Sequence, residues 1–266
     1  MYKRQVYDFH FEFHLAEHCN LNCIGCTHFS PLAEPEFLEV EDFRNDIERL
    51  SYLTGGNARF INLLGGEPLL HPEINSFFKI AREYFPEAKI SIVTNGILLP
   101  QMDNCFWTSC RENKIVIAVT EYPIGFDYLS IRNKIRNENI EFESFSGRQE
   151  RYEMWSLFLD ERGLNRPVDN FMKCQRSNAC VFCSHGKLFP CPTMASIRHF
   201  NRIFDTKMEI SESDYIDIYK VSSIQEILDF LKNPVPFCRF CNVEKRKYGL
   251  LWQQSKCEKN EWCPID

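Results

Sequence analysis

The sequence predicts an α/β protein, namely a partial (β/α)6-type TIM barrel followed by a small, cysteine-rich C-terminal extension. Two observations support this fold class. Strand-like and helix-like segments alternate through residues 1–147, and eight of the thirteen cysteines are gathered in residues 174–266. Strands that alternate with helices form parallel βαβ units, and the five or six units expected here are too few to close a full TIM barrel.

The strands and helices of the barrel follow from apolar periodicity. Phenylalanines alternate with polar residues along the first strand, and later strands end at glycine, asparagine or threonine. The expected strands lie at residues 9–15, 59–64, 89–94, 115–120 and 140–145. Apolar residues at helical spacing predict helices near Val40 and Pro72, and Asp127 is placed to cap another helix.

The alternation stops near residue 147, so we expect three regions. Residues 1–147 form the barrel core, residues 148–173 form a charged and irregular bridge, and residues 174–266 form a cysteine-rich unit. Within the last region the pattern predicts a hairpin, a helix around residues 224–231 and a cysteine-rich tail.

Composition and charge exclude several kinds of protein. The chain has 266 residues, of which 44% are hydrophobic, as in an ordinary folded protein. Its formal net charge of −6 argues against a nucleic-acid partner. No apolar run reaches the roughly 18 residues of a membrane span, and the N-terminus lacks a secretory signal, so we expect a cytoplasmic protein. Thiols stay reduced there, so the cysteines indicate metal binding or catalysis rather than disulfides.

The strongest motif is a loop of three cysteines, Cys19, Cys23 and Cys26, directly after the first strand. Barrel enzymes place their chemistry at this end of the strands. A structural zinc site would need a fourth ligand, for which His18 and His28 flank the loop. Three thiolates suit an iron–sulfur cluster in which one iron is left open.

A second motif, Gly65-Gly66-Glu67-Pro68, ends the second strand at the same rim of the barrel. Paired glycines let a ligand approach the backbone closely, and a carboxylate can bind an ammonium group. Taken alone, the motif is equally consistent with a simple turn. Asn95 and Thr120 end the third and fourth strands and are placed to reach the same ligand, although Asn95-Gly96 is also typical of a turn.

Together, C-x3-C-x2-C and G-G-E-P resemble the motifs of the radical S-adenosylmethionine (radical SAM) superfamily. The resemblance implies a [4Fe–4S] cluster on the three cysteines, SAM on the open iron, and the methionine amine at the G-G-E-P motif. It also implies that one electron from the cluster cleaves SAM and yields a 5′-deoxyadenosyl radical, which takes hydrogen from a substrate. Where the family has an aromatic residue that stacks on adenine, this chain has Gly25, and Phe29 is the expected substitute.

The C-terminal cysteines resemble the auxiliary-cluster extensions of the same superfamily. The pattern C-x11-G-x4-C, followed by C-x2-C, resembles the short twitch extension and the twitch-bearing dehydrogenase that acts on an aminocyclitol. This resemblance implies a second [4Fe–4S] cluster on Cys174, Cys191, Cys238 and Cys241. The longer SPASM extension would recruit further cysteines, namely Cys180, Cys183, Cys257 and Cys263, but the tail spacing favours one auxiliary cluster. Zinc stays an alternative, since C-x2-C also occurs in zinc knuckles.

The resemblance implies a radical SAM oxidoreductase. We expect it to oxidise a sugar, cyclitol or nucleotide-sugar, with the auxiliary cluster as electron acceptor and an external one-electron donor such as flavodoxin or ferredoxin. Arg148 and Arg151, after the fifth strand, are the candidate catalytic residues. One alternative is a radical SAM enzyme that modifies a peptide, although the 18 residues before Cys19 are too few for a peptide-binding domain. The other is a zinc-stabilised interaction protein, which leaves the first two motifs unexplained.

Overall fold

The computed structural model describes residues 9–144, 153–154, 158–177, 179–246 and 249–263. Its strands are β1 (His10–Ala16), β2 (Phe60–Gly65), β3 (Lys89–Thr94), β4 (Ile115–Val119), β5 (Phe142–Ser144), β6 (Glu153–Met154), β7 (Val181–Ser184), β8 (Lys187–Phe189), β9 (Ile216–Asp217) and β10 (Leu250–Leu251). Its helices are α1 (Val40–Thr54), α2 (Ile74–Tyr84), α3 (Asn104–Glu112), α4 (Tyr128–Asn137), α5 (Pro167–Lys173), α6 (Pro192–Phe204) and α7 (Ile224–Leu231). None of the helices in these ranges is long and apolar enough to span a membrane.

One sheet organises the molecule, with the strand order β5-β4-β3-β2-β1-β7-β8-β9. Strands β1 to β5 run parallel, and β7 pairs parallel with the free edge of β1. Strands β8 and β9 continue the sheet in antiparallel fashion. The predicted α/β partial barrel is therefore confirmed, and six of the strands in the described ranges run parallel. The hairpin of the cysteine-rich region joins the same sheet at the edge formed by β1.

Strand β1 lies at the centre of the sheet and is buried on both faces. Phe11 and Phe13 pack towards the helices, and the ring of Phe13 meets that of Phe43 in α1 at 4.9 Å. The alternate residues Glu12 and His14 are also buried, on the other face. A buried charged residue on a central strand needs polar neighbours, so this face has the character of a site rather than of a core.

The C-terminal region has an aromatic core of its own. Trp262 and Phe29 are fully buried there, and both rings pack against Phe200 of α6. Phe29 directly follows the three-cysteine loop, so this second core ties the end of the chain to the loop.

A buried carboxylate fixes the β7–β8 hairpin to helix α1. Asp46 of α1 accepts a hydrogen bond from the Gly186 amide at the hairpin turn, at 2.8 Å, and one from the Tyr219 hydroxyl, also at 2.8 Å. Burial raises the pKa of Asp46. The hairpin that joins Cys174 to Cys191 is thereby held against the barrel.

The ends of β1 and β2 approach each other so closely that only glycine fits between them. A Cβ on Gly65 would lie 2.2 Å from the carbonyl oxygen of Ala16, and one on Gly66 would lie 2.1 Å from that of His18. The Gly66 amide donates to the Ala16 carbonyl at 2.7 Å. The paired glycines therefore let the chain that enters the cysteine loop lie directly on the end of β2.

We expect Gly65→Ala to lower the free energy of unfolding by about 3 kcal/mol, because the new methyl group meets backbone that cannot move aside. Gly125→Ala is the matched control, since Gly125 also has a positive φ (+72°) but no atom within 4 Å of its Cβ position. That control should lose only about 1 kcal/mol. Chemical denaturation of both variants under reducing conditions measures the difference, and equal losses would contradict the close approach.

Candidate functional site

A cavity of about 490 Å³ opens at the carboxyl ends of the parallel strands. Its walls come from the three-cysteine loop, from the ends of β2, β3 and β4, and from two segments of the C-terminal half. In parallel sheets ligands bind at this end of the strands, so the cavity lies where the fold class places chemistry.

All three predicted cysteines, Cys19, Cys23 and Cys26, line this cavity, and their half-buried thiols form no disulfide. Burial raises the pKa of the Cys19 thiol to about 12, although the Leu21 amide donates to its sulfur at 3.4 Å and opposes the shift. An anionic thiolate is therefore costly here unless a cation lies beside it. A cluster iron would supply that cation, so the donor set fits an iron–sulfur group.

The C-terminal tail lies along the cysteine loop like an added strand. The Ile24 amide donates to the Gln253 carbonyl at 2.9 Å, and the Ser255 amide donates to the Asn22 carbonyl at 2.8 Å. Between these bonds, Cys23 and Gln254 form an antiparallel bridge. The middle of the loop is therefore held by backbone hydrogen bonds to a segment more than two hundred residues away in sequence.

Trp262 holds the end of the same loop. Its indole N–H donates to the carbonyl of Cys26 at 2.8 Å, while its ring is fully buried in the aromatic core. Its own carbonyl accepts from the Leu159 amide at 2.7 Å, and Leu159 forms a bridge with Cys241. One tryptophan thus connects the first cysteine motif to the second.

Gly65 and Gly66 line the cavity, whereas Glu67 lies behind its wall. The Glu67 carboxylate is fully buried and accepts from Thr94 Oγ1 at 2.6 Å, from the Asn95 amide at 2.9 Å and from the Leu69 amide at 3.1 Å. Burial raises the pKa of Glu67 to about 7 against these hydrogen bonds. In this structure the carboxylate holds the ends of β2 and β3 together, and its contact with an amine stays a prediction.

The polar strand ends converge as expected. Asn95 and Thr120 both line the cavity, together with Tyr122 two residues further on. The Asn95 side chain donates to Asn20 Oδ1 at 2.7 Å and to Cys19 Sγ at 3.8 Å, which links β3 to the cysteine loop. The Tyr122 ring lies 5.8 Å from that of Trp252 in the tail.

The structure corrects the expectation that Phe29 stacks on adenine, and it does not describe the two candidate catalytic residues. Phe29 is fully buried, and its ring packs on Phe200 and Trp262 instead of lining the cavity. It therefore does not take the place of the missing aromatic residue. Among the described residues that line the cavity, Tyr122 is the one Phe, Tyr or Trp side chain. The candidate catalytic residues Arg148 and Arg151 lie outside the residues that the structure describes.

Sequence reasoning did not identify four candidate functional residues that line the cavity, namely Glu12, Tyr122, Arg176 and Arg246. Glu12 carried a signal, because a carboxylate on the face of β1 opposite the phenylalanines had to be buried at the centre of a barrel. Arg176 follows Cys174 by two residues, which in hindsight places it near the site. Nothing in the sequence pattern singles out Arg246.

The four predicted auxiliary cysteines are brought together by separate elements. Cys174 ends α5, Cys191 precedes α6, and Cys238 and Cys241 belong to a 3₁₀ turn and its end. Burial raises the pKa of the Cys241 thiol, and the three other sulfurs lie near enough to raise it further. Asn170 of α5 donates to the carbonyls of Cys238, at 2.8 Å, and of Cys241, at 2.6 Å.

The remaining cysteines have different surroundings. Among the described residues, no group of three or more His, Cys, Asp or Glu side chains is arranged to hold a single metal ion. Cys110 and Cys183 are buried, Cys180 and Cys263 are half-buried, and Cys105 and Cys257 are exposed. Cys105 and Cys110 both belong to α3, and they lie on its exposed and its buried face respectively.

Comparisons with known proteins agree with the motifs. Residues 14–106 match the model of the Radical SAM superfamily. Over 87 residues the chain is 29% identical to GTP 3′,8-cyclase from Sulfurovum sp. (strain NBC37-1), covering 33% of this chain and 27% of that protein. It is 35% identical over 81 residues to GTP 3′,8-cyclase from Chlorobaculum tepidum, covering 30% and 24%. The chain thus spans about a quarter of the length of the curated relatives it matches.

A solved structure is similar over nearly the whole chain. It is BtrN in complex with AdoMet and 2-DOIA, with a TM-score of 0.52 and 18% identity over 91% of this chain and 94% of that one. At this identity the likeness concerns the fold alone, and it supports the α/β partial barrel.

We expect Trp262→Phe to loosen the cysteine loop, because the N–H donor to the Cys26 carbonyl is lost while a smaller aromatic ring remains in the core. One hydrogen bond contributes about 1 kcal/mol, so amide hydrogen exchange in residues 22–26 should accelerate about fivefold.

Trp107→Phe is the matched control. Trp107 is equally buried, and its indole N–H donates to the Met102 carbonyl at 3.1 Å, away from the loop. The control should leave exchange in residues 22–26 unchanged. Equal acceleration in both variants, or in neither, would contradict the role of Trp262.

Proposed function

Because this chain belongs to the radical SAM superfamily, we propose that it is an enzyme that reductively cleaves SAM in the cavity at the strand ends and takes hydrogen from a small polar substrate. The observation that carries the proposal is the convergence of Cys19, Cys23 and Cys26 with Gly65 and Gly66 on one cavity. Neither a zinc knuckle nor an ordinary turn accounts for both motifs facing the same space.

The residues of the loop fit the cluster that the family implies. Three thiols face one cavity, and burial raises the pKa of the Cys19 thiol, so a cation beside it would stabilise its thiolate. When bound, the [4Fe–4S] cluster and SAM supply the electron and the 5′-deoxyadenosyl radical. A cluster with three protein ligands leaves a position for a ligand from SAM.

The residues of the chain itself would bind and orient SAM in the cavity. The backbone of Gly65 and Gly66 lines the cavity and is placed to contact the methionine portion of SAM. Asn95 and Thr120 offer polar groups at neighbouring strand ends, and Tyr122 offers the ring face for the adenine. The tail segment pairs with the loop through backbone hydrogen bonds and so holds the cysteines in place.

We further propose that Cys174, Cys191, Cys238 and Cys241 hold an auxiliary [4Fe–4S] cluster. Four thiols gathered by three separate elements, with their backbone held by Asn170, support this assignment. When bound, such a cluster supplies an acceptor for the electron that the substrate radical loses. The reaction class is then an oxidation, in which a hydrogen atom, a proton and an electron leave the substrate in turn.

The substrate we propose is a sugar, a cyclitol or a nucleotide-linked sugar, with a flavodoxin or ferredoxin as the external electron donor. The curated relatives are named for a nucleotide, GTP, and the similar solved structure was determined with the small molecule 2-DOIA. A cavity of about 490 Å³ suits a small molecule beside SAM. Peptide modification is the alternative from the same superfamily.

Anaerobic reduction with SAM should yield 5′-deoxyadenosine from the native chain. Replacing Cys19, Cys23 and Cys26 together by alanine should abolish that product, because the cluster loses its ligands. Cys238→Ala with Cys241→Ala should keep the cleavage of SAM but remove about half of the iron, since each cubane contains about four irons.

Cys105→Ala is the matched control, because Cys105 is exposed on α3, and it should change neither the product nor the iron content. Cleavage of SAM that survives in the triple variant would overturn the proposal. Colourless protein that binds stoichiometric zinc would establish the interaction-protein alternative instead.

A further inference from the structure

Asp214 is a buried carboxylate of the C-terminal region, in the loop between α6 and β9. It is only 1% exposed to solvent and lies outside the lining of the cavity. Burying a carboxylate is costly unless hydrogen-bond donors replace the water that it loses. The residues that supply those donors therefore show what Asp214 holds in place.

Asp214 joins its own loop to the turn that carries Cys238. Its Oδ2 accepts hydrogen bonds from the Ser211 amide at 2.8 Å and from the Ser211 hydroxyl at 2.7 Å. Its Oδ1 accepts from the Phe237 amide at 2.5 Å. Phe237 belongs to the 3₁₀ turn Pro236–Phe240, and its ring is buried in the aromatic core. The carboxylate therefore fixes the backbone directly before Cys238.

The turn with the C-x2-C cysteines is thus held from two sides. Asn170 donates to the carbonyls of Cys238 and Cys241. Asp214 accepts from the amide that precedes Cys238. At metal sites such outer contacts orient the ligands, and their loss weakens metal binding about 10- to 100-fold.

The charge of Asp214 also acts on the auxiliary site. Burial raises the pKa of the Cys238 thiol to about 12, and the nearby Asp214 carboxylate is one of the smaller causes of the same shift. The reduction potential of an iron–sulfur cluster depends on the charges around it and on its hydrogen bonds. A negative charge at the site opposes the addition of an electron, so it lowers that potential.

We infer that Asp214 is a positioning residue of the auxiliary site, which orients the turn of Cys238 and Cys241 and lowers the reduction potential of the cluster bound there. The inference rests on the proposed function, since it takes the four cysteines as cluster ligands. It adds how the electron leaves. The substrate radical loses one electron to the cluster, and a low potential lets the cluster pass that electron to an oxidised carrier of the flavodoxin or ferredoxin type.

The first test measures the reduction potential in a parent chain in which Cys19, Cys23 and Cys26 are replaced by alanine, so that the auxiliary cluster alone gives the signal. Asp214→Asn keeps the shape of the side chain and an oxygen for the Phe237 amide but removes the charge. The potential should therefore shift to a more positive value. Asp214→Glu keeps the charge and should shift it less. An anaerobic redox titration followed by electron paramagnetic resonance gives the midpoints.

The second test measures amide hydrogen exchange in the anaerobically purified native chain. Asp214→Ala should accelerate exchange at Phe237 and Cys238 about tenfold, as the loss of a hydrogen bond to a charged group does. Asp46→Asn is the matched control for both tests. Asp46 is likewise buried and accepts a backbone amide, but at the β7–β8 turn, and its charge acts on Cys183, which is not one of the four predicted ligands. It should change neither the midpoint nor these two amides.

An Asp214→Asn midpoint equal to that of the parent overturns the effect of the charge, and unchanged exchange in Asp214→Ala overturns the positioning. Equal effects of Asp46→Asn and Asp214→Asn overturn both, because they show a general loss of stability. If the alanine variant does not fold, Asp214→Asn serves for both measurements, with a smaller acceleration expected. A parent chain without any cluster contradicts the proposed auxiliary cluster and the effect on its potential, and the exchange data then still decide whether Asp214 holds the turn.

Discussion

The loop that carries Cys19, Cys23 and Cys26 is held from both sides by backbone hydrogen bonds, and the geometry of the cavity depends on these bonds. On one side, the end of β2 comes so close that only Gly65 and Gly66 fit. On the other side, the tail pairs with the loop through Ile24 and Ser255 and anchors its end through Trp262. The three-cysteine loop has a defined geometry because it is held on both of these sides.

The same contacts join the two halves of the molecule. Strand β7 pairs with β1, Asp46 fixes the hairpin turn, and Trp262 connects Cys26 to the segment that bridges Cys241. The C-terminal region therefore does more than carry its own cysteines, because it supplies one wall of the cavity and part of the support for the three-cysteine loop. Removal of the tail would expose the first site as well as disturb the second.

The sequence predicted the parts of the structure that local patterns encode. The alternation of strands and helices located β1 to β5, and the motifs at the strand ends located Cys19, Gly65 and Asn95 at one rim. Long-range packing could not be predicted from the sequence, because no periodicity indicates that β7 pairs with the edge of β1. The same limit explains Phe29, whose partners Phe200 and Trp262 lie far along the chain, and Arg246, which only the folded chain brings to the cavity.

The central claim is that the three-cysteine loop holds a cluster whose open iron faces SAM in this cavity. Electron paramagnetic resonance tests it most directly, with Cys238 and Cys241 replaced by alanine so that one cluster gives the signal. On adding SAM to the anaerobically reduced protein, the g values of that signal should shift, because a new ligand reaches the iron. The further change Cys26→Ala should remove the signal. A spectrum that SAM leaves unchanged would contradict the account.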